Sequence, residues 1–381
     1  MRGERKLTSK RDDESFLDLY IRNTDLKNYG MYRTAFNHLK EFVEEKDYKI
    51  IEIGDKEVKE FCKHLESKID DSQMSLSPKG ADLYLSTLSR LFGWVATETK
   101  HIDWEPFSSY EGSYFEFDNR KNKKRDLPIC DLRQGIRNIE NPTLFTFVLL
   151  LLKTGLRTGE AINLDLRDIN LDHQFTVPVP DPRPEVSSKP NTLHVDSSKS
   201  GNKPNSYREV PIDDELKRTL IWYIQLTPPR TEQPSPLFTN LGGSNTKYDR
   251  ISKSAIKKQF RDWADRQGWF IEPHHPENIH PHWCRHWFTT ILRKNISDSD
   301  VPIGNTANYV GGLRGDTGND IIETYTHQWN EMVSSDELSY REVYISAMPA
   351  LLSEPDSPSV DVIEPWQDTK EFVESTIEVE R

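Results

Sequence analysis

Phe145 to Leu152, FTFVLLLL, is the longest apolar stretch in the chain. It is too short to cross a bilayer, which takes about 20 residues. It therefore reads as a buried helix of a core. Around it the sequence runs PTLFTFVLLLLKTGLRTGEAINLDLRDINL: an apolar helix, a break at Gly155, then a second short helix. The chain's 381 residues are enough for two ordinary domains and a tail. At 35% hydrophobic and 29% charged residues, composition fits a water-soluble protein able to bury such a core. MRGERKLTSKRDDES is not followed by an apolar stretch, so it does not read as a signal peptide. Cys62, Cys130 and Cys284 lie far apart and are odd in number. They form no disulfide framework, and a reducing, cytoplasmic setting is expected.

Glu14 to about Glu105 has a different pattern. ESFLDLYIRN, YGMYRTAFNHLKEFVEEK, DKEVKEFCKHLESK and SPKGADLYLSTLSRLFGWVATE carry apolar residues at intervals of three and four. They predict four amphipathic helices packed as a small bundle. EPFSSYEGSYFEFDNRKNKKRDLP has no period and many turn residues, and reads as a linker ending near Leu127. Beyond it, FTVPV, TLHVDSS and YREVPI predict strands of a small antiparallel sheet, with PVPDPRPEVSSKPN inserted between two of them. Helices return at DDELKRTLIWYIQL, SKSAIKKQFRDWADRQG, HWCRHWFTTILRKN and NDIIETYTHQWNEM. The fold class is mainly α with a small antiparallel β-sheet, in two domains. The segments are 1–119, a basic linker 120–127, 128–352, and an acidic tail 353–381 expected to be disordered.

The net charge of −12 argues against a nucleic-acid partner until its distribution is considered. Glu354 to Arg381 holds nine acids and two bases, which puts −7 in the tail and −5 in the rest. Basic clusters stand at the N-terminus, at RKNKKR (Arg120 to Arg125) and at KSAIKKQFR (Lys253 to Arg261). Each can be a solvated face or a phosphate contact. An acidic total also suits work at high salt.

Four stretches carry residues suited to chemistry. Arg157 in TGLRTGE sits just past a buried helix, either as a cap or salt bridge to Glu160 or as an anion ligand. Lys199 in SSKSGNK falls where two strands must reverse, as a solvated turn lysine or a proton donor at a hairpin tip. HPHWCRH, with His274 and His275 upstream, allows three readings: a zinc site, solvated or capping histidines, or a phosphate clamp. His282 and Arg285 share a helix face. Structural zinc usually takes paired cysteines, and only one cysteine is near. Tyr325 in IIETYTHQW lies among Thr324, Thr326 and His327 on a predicted helix, a position that is more often core or interface.

Taken in order, these boxes resemble the tyrosine recombinases, or phage-type integrases. TGLRTGE resembles the first arginine box, SKSGNK…REVPI the lysine hairpin, HPHWCRHWFTT the His-x-x-Arg box and TYTH the nucleophile box. The helical bundle, including LSRLFGWV, looks like the family's core-binding domain, and the resemblance spans about residues 14–350. It implies a catalytic domain over 128–352 and a tyrosine, Tyr325, that attacks a DNA phosphodiester to give a 3′-phosphotyrosine, without ATP or metal. Arg157 and Arg285 would hold the non-bridging oxygens, Lys199 would protonate the leaving 5′-oxygen, and His282 would take the phenol proton. Glu160 would orient its neighbours, with His280 and His286 as bystanders. Lys121, Lys123, Lys124, Arg125, Lys257 and Lys258 are expected to contact DNA phosphates. Double-stranded DNA is the implied partner, bound by a homodimer or homotetramer that exchanges SSDELSYREVYISAMPALL between neighbours. No cofactor, small-molecule substrate or membrane is implied.

The sequence departs from the family pattern in three places. YVGGLRGDTGNDIIETY lacks the histidine or tryptophan of the Leu-Gly-His box, so Arg314 supplies that donor or the position is vacant. The Pro-rich insertion is extra, and the N-terminus is too short for an arm-site domain. The resemblance leaves open a catalytically decayed DNA-binding protein and a type IB topoisomerase-like enzyme; a zinc-dependent binding module stands outside it.

Overall fold

A computed structural model of the chain describes residues 12–24, 29–70, 76–99, 102–110, 112, 114–115, 124–196, 207–227, 235–240, 249–272, 275–298, 306–314 and 340–352. The chain divides into two compact units, Met1–Lys121 and Asn122–Arg381.

The first unit is built on four helices: α1 (Asp12–Asn23), α2 (Gly30–Lys46), α3 (Asp55–Asp70) and α4 (Pro78–Trp94). On α2, Tyr32, Ala35, Phe36, Leu39, Phe42 and Val43 are buried, the three-and-four spacing of one apolar face. α4 starts where Ser77 Oγ accepts the Gly80 N–H and Pro78 takes the first turn. It runs on into a π turn over Val95–Thr99. The stretch read as a linker does more than connect. Phe107 is wholly buried in the bundle core, its ring 4.9 Å from Phe92 and 6.4 Å from Phe61, and Phe115 is buried with it. Glu105 caps the turn by accepting from Phe107 N (2.6 Å) and Ser108 N (2.9 Å). Two aromatic residues eight apart make no period, so the pattern could not reveal them.

In the second unit, α6 (Pro142–Thr154) is central, and all of its residues are buried. Asn141 Oδ1 accepts from Leu144 N at 2.9 Å to start it. Gly155 ends it at φ 62°, its N–H returned to the Leu151 carbonyl at 2.9 Å, a conformation glycine adopts without strain. Around α6 lie α5 (Ile129–Arg137), the short α7 (Thr158–Ile162), α9 (Asp214–Leu226), α10 (Lys253–Arg266) and α11 (Pro281–Ser297). Thr306–Arg314 forms α12 and Tyr340–Ala347 forms α13, both packed on α11. The sheet is antiparallel in the order β1 (Ile169–Asn170), β2 (Thr192–Val195), β3 (Arg208–Pro211). Leu193 faces Ile169 on one side and Val210 on the other.

Two sequence readings change here. FTVPV is not a strand; its place in the sheet is taken by Ile169–Asn170. Pro178, Pro180 and Pro182 alternate there, and proline has no N–H to donate to a ladder. The Pro-rich insertion contains a short helix, α8 (Pro184–Ser187). Sequence periodicity also passed over α5 and α12, both only nine residues long. No helix among the described residues is long and apolar enough to cross a membrane.

Candidate active site

The break after α6 delivers the first functional side chain. Arg157 is the N-cap of α7, and its own N–H donates to Glu160 Oε2 at 2.8 Å. Its Nη1 donates to Glu160 Oε1 at 3.0 Å. The Arg157 side chain stays 33% exposed while Glu160 is 1% exposed. The cap or salt-bridge reading of Arg157 is thus realised, and one edge of the guanidinium still faces a cleft. From β3, Arg208 reaches the same carboxylate, Nη2 to Oε2 at 2.7 Å and Nη1 to Oε1 at 3.3 Å. Burial alone would raise the Glu160 carboxyl, but the Arg208 charge, its hydrogen bonds and Arg157 outweigh it and hold the group at about 2. The far end of α7 is fastened by Arg250, which donates to the Ile162 and Leu164 carbonyls and pairs with Asp165.

α11 brings the second group. His280 is its N-cap, and Nδ1 accepts from Trp283 N at 3.2 Å. One turn on, Arg285 is 1% exposed and donates to the Gly155 carbonyl, two residues before Arg157. Its Nη2 donates to the Arg314 carbonyl at 2.8 Å, which ties α12 to the same spot. His282 is at the surface between them, its ring 4.7 Å from His286 and 6.3 Å from His280. Partial burial, then the charges of His286, Arg285, Arg314 and Lys124, hold its imidazole down at about 4. His282 is therefore neutral at pH 7 and can accept a proton.

Four of these groups border one cleft of about 660 Å³. Arg157, His280, His282 and Glu160 line it together with Lys124, Lys253, Lys257, Arg261 and His275. Five lysines and arginines face a single carboxylate, a charge balance that suits a polyanion. Lys253, Lys257 and Arg261 recur every four residues along α10, about 6 Å apart. Of the expected DNA contacts, Lys124 and Lys257 line the cleft. Lys258 is exposed but does not line it. Arg125 donates to the Gly268 carbonyl at 3.1 Å. Lys121, Lys123, Lys199 and Tyr325 lie outside the described residues, as do His274 and the acidic tail. Among the described residues no three of His, Cys, Asp and Glu gather as metal ligands, so the zinc reading has no site there.

Comparison with known proteins now adds to this geometry. Residues 136–301 match the model of the Phage integrase family, and residues 14–112 match the Phage integrase SAM-like domain. Tyrosine recombinase XerD of Staphylococcus epidermidis is 25% identical over 281 residues, 71% of this chain and 79% of that protein. Tyrosine recombinase XerS of Lactococcus lactis subsp. cremoris is 24% identical over 343 residues, 85% of this chain and 77% of that one. The chain belongs to the phage integrase family of tyrosine recombinases. Its fold agrees: a lambda integrase dimer bound to a COC′ core site aligns at TM-score 0.55 and 17% identity, over 82% of this chain and 76% of that one. The Tn1549 transposon integrase in complex with transposon right end DNA gives 0.55 and 15%, over 82% and 93%.

The recombinase is an enzyme of this family, and one part of its site escaped the motif reading. The capping reading of the histidines is realised at His280, the α11 cap just before Pro281. Arg208 opens a strand whose four residues are all buried, and a charged residue there needs a partner. The sequence does not say that the partner is Glu160, 48 positions earlier.

Proposed function

We propose that this recombinase cleaves and rejoins duplex DNA at a specific site through a 3′-phosphotyrosine intermediate. The observation that carries the reading is the meeting, at one basic cleft, of an anchored guanidinium (Arg157), a neutral imidazole (His282) and, behind them, Arg285. The scissile phosphate would sit between Arg157 and Arg285, where forked, charge-assisted hydrogen bonds suit its non-bridging oxygens. Tyr325 Oη attacks phosphorus. The new bond is P–Oη, and the broken bond is P–O5′. The phenol proton passes to His282 and the 5′-oxygen takes a proton from Lys199, so charge and atoms balance. A 5′-hydroxyl of another strand reverses the step, and the phosphodiester count is unchanged. Lys124, Lys253, Lys257 and Arg261 would follow the backbone phosphates, making binding fall with salt.

Arg314 deepens the reading. Its charge acts on His282, and its carbonyl is held by Arg285, so the end of α12 borders the reaction centre where the family's histidine or tryptophan is missing. Arg314 would serve as the additional donor to the phosphate. The active form would be a homotetramer on two DNA sites, with the segment around α13 exchanged between copies.

The test is a nicked duplex that traps the covalent intermediate, built on the sequence that the protein selects from a random duplex library. Wild type should become covalently attached and Tyr325→Phe should not. An adduct that survives the substitution removes Tyr325 from its role. Relaxation of supercoiled plasmid without site preference would instead favour a topoisomerase-type activity.

A further inference from the structure

Resting on that reading, we propose that His280, a bystander in the resemblance, binds the substrate: its Nε2–H donates to a DNA phosphate next to the scissile one. The start of α11 fixes the ring. Nδ1 accepts from Trp283 N at 3.2 Å, and an imidazole nitrogen that accepts carries no hydrogen. The neutral ring therefore holds its hydrogen on Nε2. That ring lines the basic cleft together with Lys124, Arg157 and His282, so the nitrogen left to the cleft is a donor.

The His280 and His282 rings are 6.3 Å apart and within 8° of parallel. Side chains so arranged reach successive phosphates of one strand more readily than two oxygens of one phosphate. With His282 at the nucleophile, His280 is left to the next phosphate. Burial lowers the His280 imidazole to about 4, followed by the Lys124 charge and then those of His282, His286 and Lys257. The other charged or titratable walls of the cleft are Arg157 and Glu160 of α7, Lys253 and Arg261 of α10, and His275. A phosphate anion would raise the imidazole by about 1–3, which leaves it largely neutral at pH 7.5. Trp283 serves both neighbours. Its N–H fixes the His280 ring, and its Nε1 donates to the Arg125 carbonyl at 2.9 Å, which seats the chain beside Lys124. Arg125 Nη1 fastens the same stretch to the Gly268 carbonyl at 3.1 Å. A neutral donor and a cation are thus presented together.

The experiment replaces the phosphates of the selected duplex one at a time by neutral methylphosphonates and measures the affinity of wild type and His280→Ser. Serine still caps α11 but is too short to reach the phosphate. On the unmodified duplex His280→Ser should bind about 10-fold more weakly than wild type. At one phosphate beside the cleaved one, the methylphosphonate should cost wild type about 5–10-fold more than it costs His280→Ser. A residue that only braces α11 is coupled to no single phosphate, so equal costs at every position overturn the proposal, as does coupling at a phosphate away from the cleavage point. A neutral donor releases no counterion, so the salt dependence of binding should be the same in His280→Ser as in wild type. A slope smaller by about 0.9 in the variant would mean a charged histidine and would overturn it too. The ring nitrogen resonances of the DNA-free protein at pH 7.5 give a readout independent of DNA: they should show hydrogen on Nε2, and hydrogen on Nδ1 overturns the proposal. Wild type that binds but never attaches would sink the phosphotyrosine chemistry instead. The affinity scan would then still decide His280, one coupled phosphate upholding the contact and none removing it. Should His280→Ser fail to fold, His280→Asn, also a capping residue, carries the same scan.

Discussion

Lys153→Met should cost about 3–5 kcal/mol and loosen the C-terminal segment from the second unit. Lys153 is the penultimate residue of α6 and 1% exposed. Its ammonium donates to Asp213 Oδ2 at 2.7 Å and to the Pro349 carbonyl at 2.8 Å, and lies 2.6 Å from Glu215 Oε2. Three donor hydrogens thus meet three acceptors. Glu215 in turn accepts from Leu351 N at 2.9 Å and Leu352 N at 2.6 Å, while Arg133 holds the Ala350 carbonyl at 2.7 Å. Methionine fills nearly the same volume but leaves two carboxylates, 10% and 12% exposed, without the cation between them. Removing one partner of a buried ion pair typically costs the amount stated, a large share of a total near 5–15 kcal/mol. Asp213 cannot relieve this by swinging outward, since its Oδ1 caps α9 by accepting from Leu216 N at 2.8 Å. Urea denaturation measures the global loss. Amide hydrogen exchange at Leu351 and Leu352 measures the local one, expected to quicken by at least about 10-fold. A variant within about 1 kcal/mol of wild type, with exchange unchanged, would refute the charge-lock reasoning.

Two further outcomes follow from the site. Glu160 titrates at about 2 in the folded protein against an ordinary 4.5. A depressed folded value gives stability that is whole above pH 4.5 and is lost as pH falls toward 2, by about 3 kcal/mol in all. Denaturation followed across that window should show the acid limb in wild type and lack it in Glu160→Gln, itself weaker at neutral pH because Arg208 is left unpaired. At Gly155, a methyl group would stand 2.5 Å from Phe288 Cδ1 and force φ +62° on an L-residue. Gly155→Ala should lose about 2–5 kcal/mol. It should also slow strand cleavage at 25 °C, where the variant stays folded, because the displaced carbonyl is the one that Arg285 grips. Full activity in a destabilised Gly155→Ala protein would separate the helix stop from the site.

The fold was legible wherever burial imposed a period. α2, α4, α6, α9, α10 and α11 each follow runs whose apolar spacing predicts them. What failed was short or interrupted. FTVPV reads as β-rich by its side chains, but every second residue from Pro178 to Pro184 is a proline, and the backbone cannot form a ladder. α12 offers too few turns to show a stripe, whereas α5 carries one, Ile129, Leu132 and Ile136, on a run short enough to pass over. Phe107 and Phe115 enter the bundle core from irregular chain, where position depends on tertiary contact and not on spacing.

The site divides along a similar line. Arg157, Glu160, His282 and Arg285 were visible because each belongs to a short box whose residues are neighbours on one helix or one turn. Arg208 was not, because its meaning is a pairing across 48 positions. The net charge of −12 hides the site for a related reason. A whole-chain sum treats all charges as equally near, yet salt screens exposed charges beyond about 8–10 Å. The potential a phosphate feels is set by the cleft itself, where Lys124, Arg157, Lys253, Lys257 and Arg261 face one carboxylate that two guanidiniums already satisfy. An acidic protein can therefore present a strongly cationic surface, provided its cations are gathered on the walls of one hollow and its carboxylates are spent elsewhere.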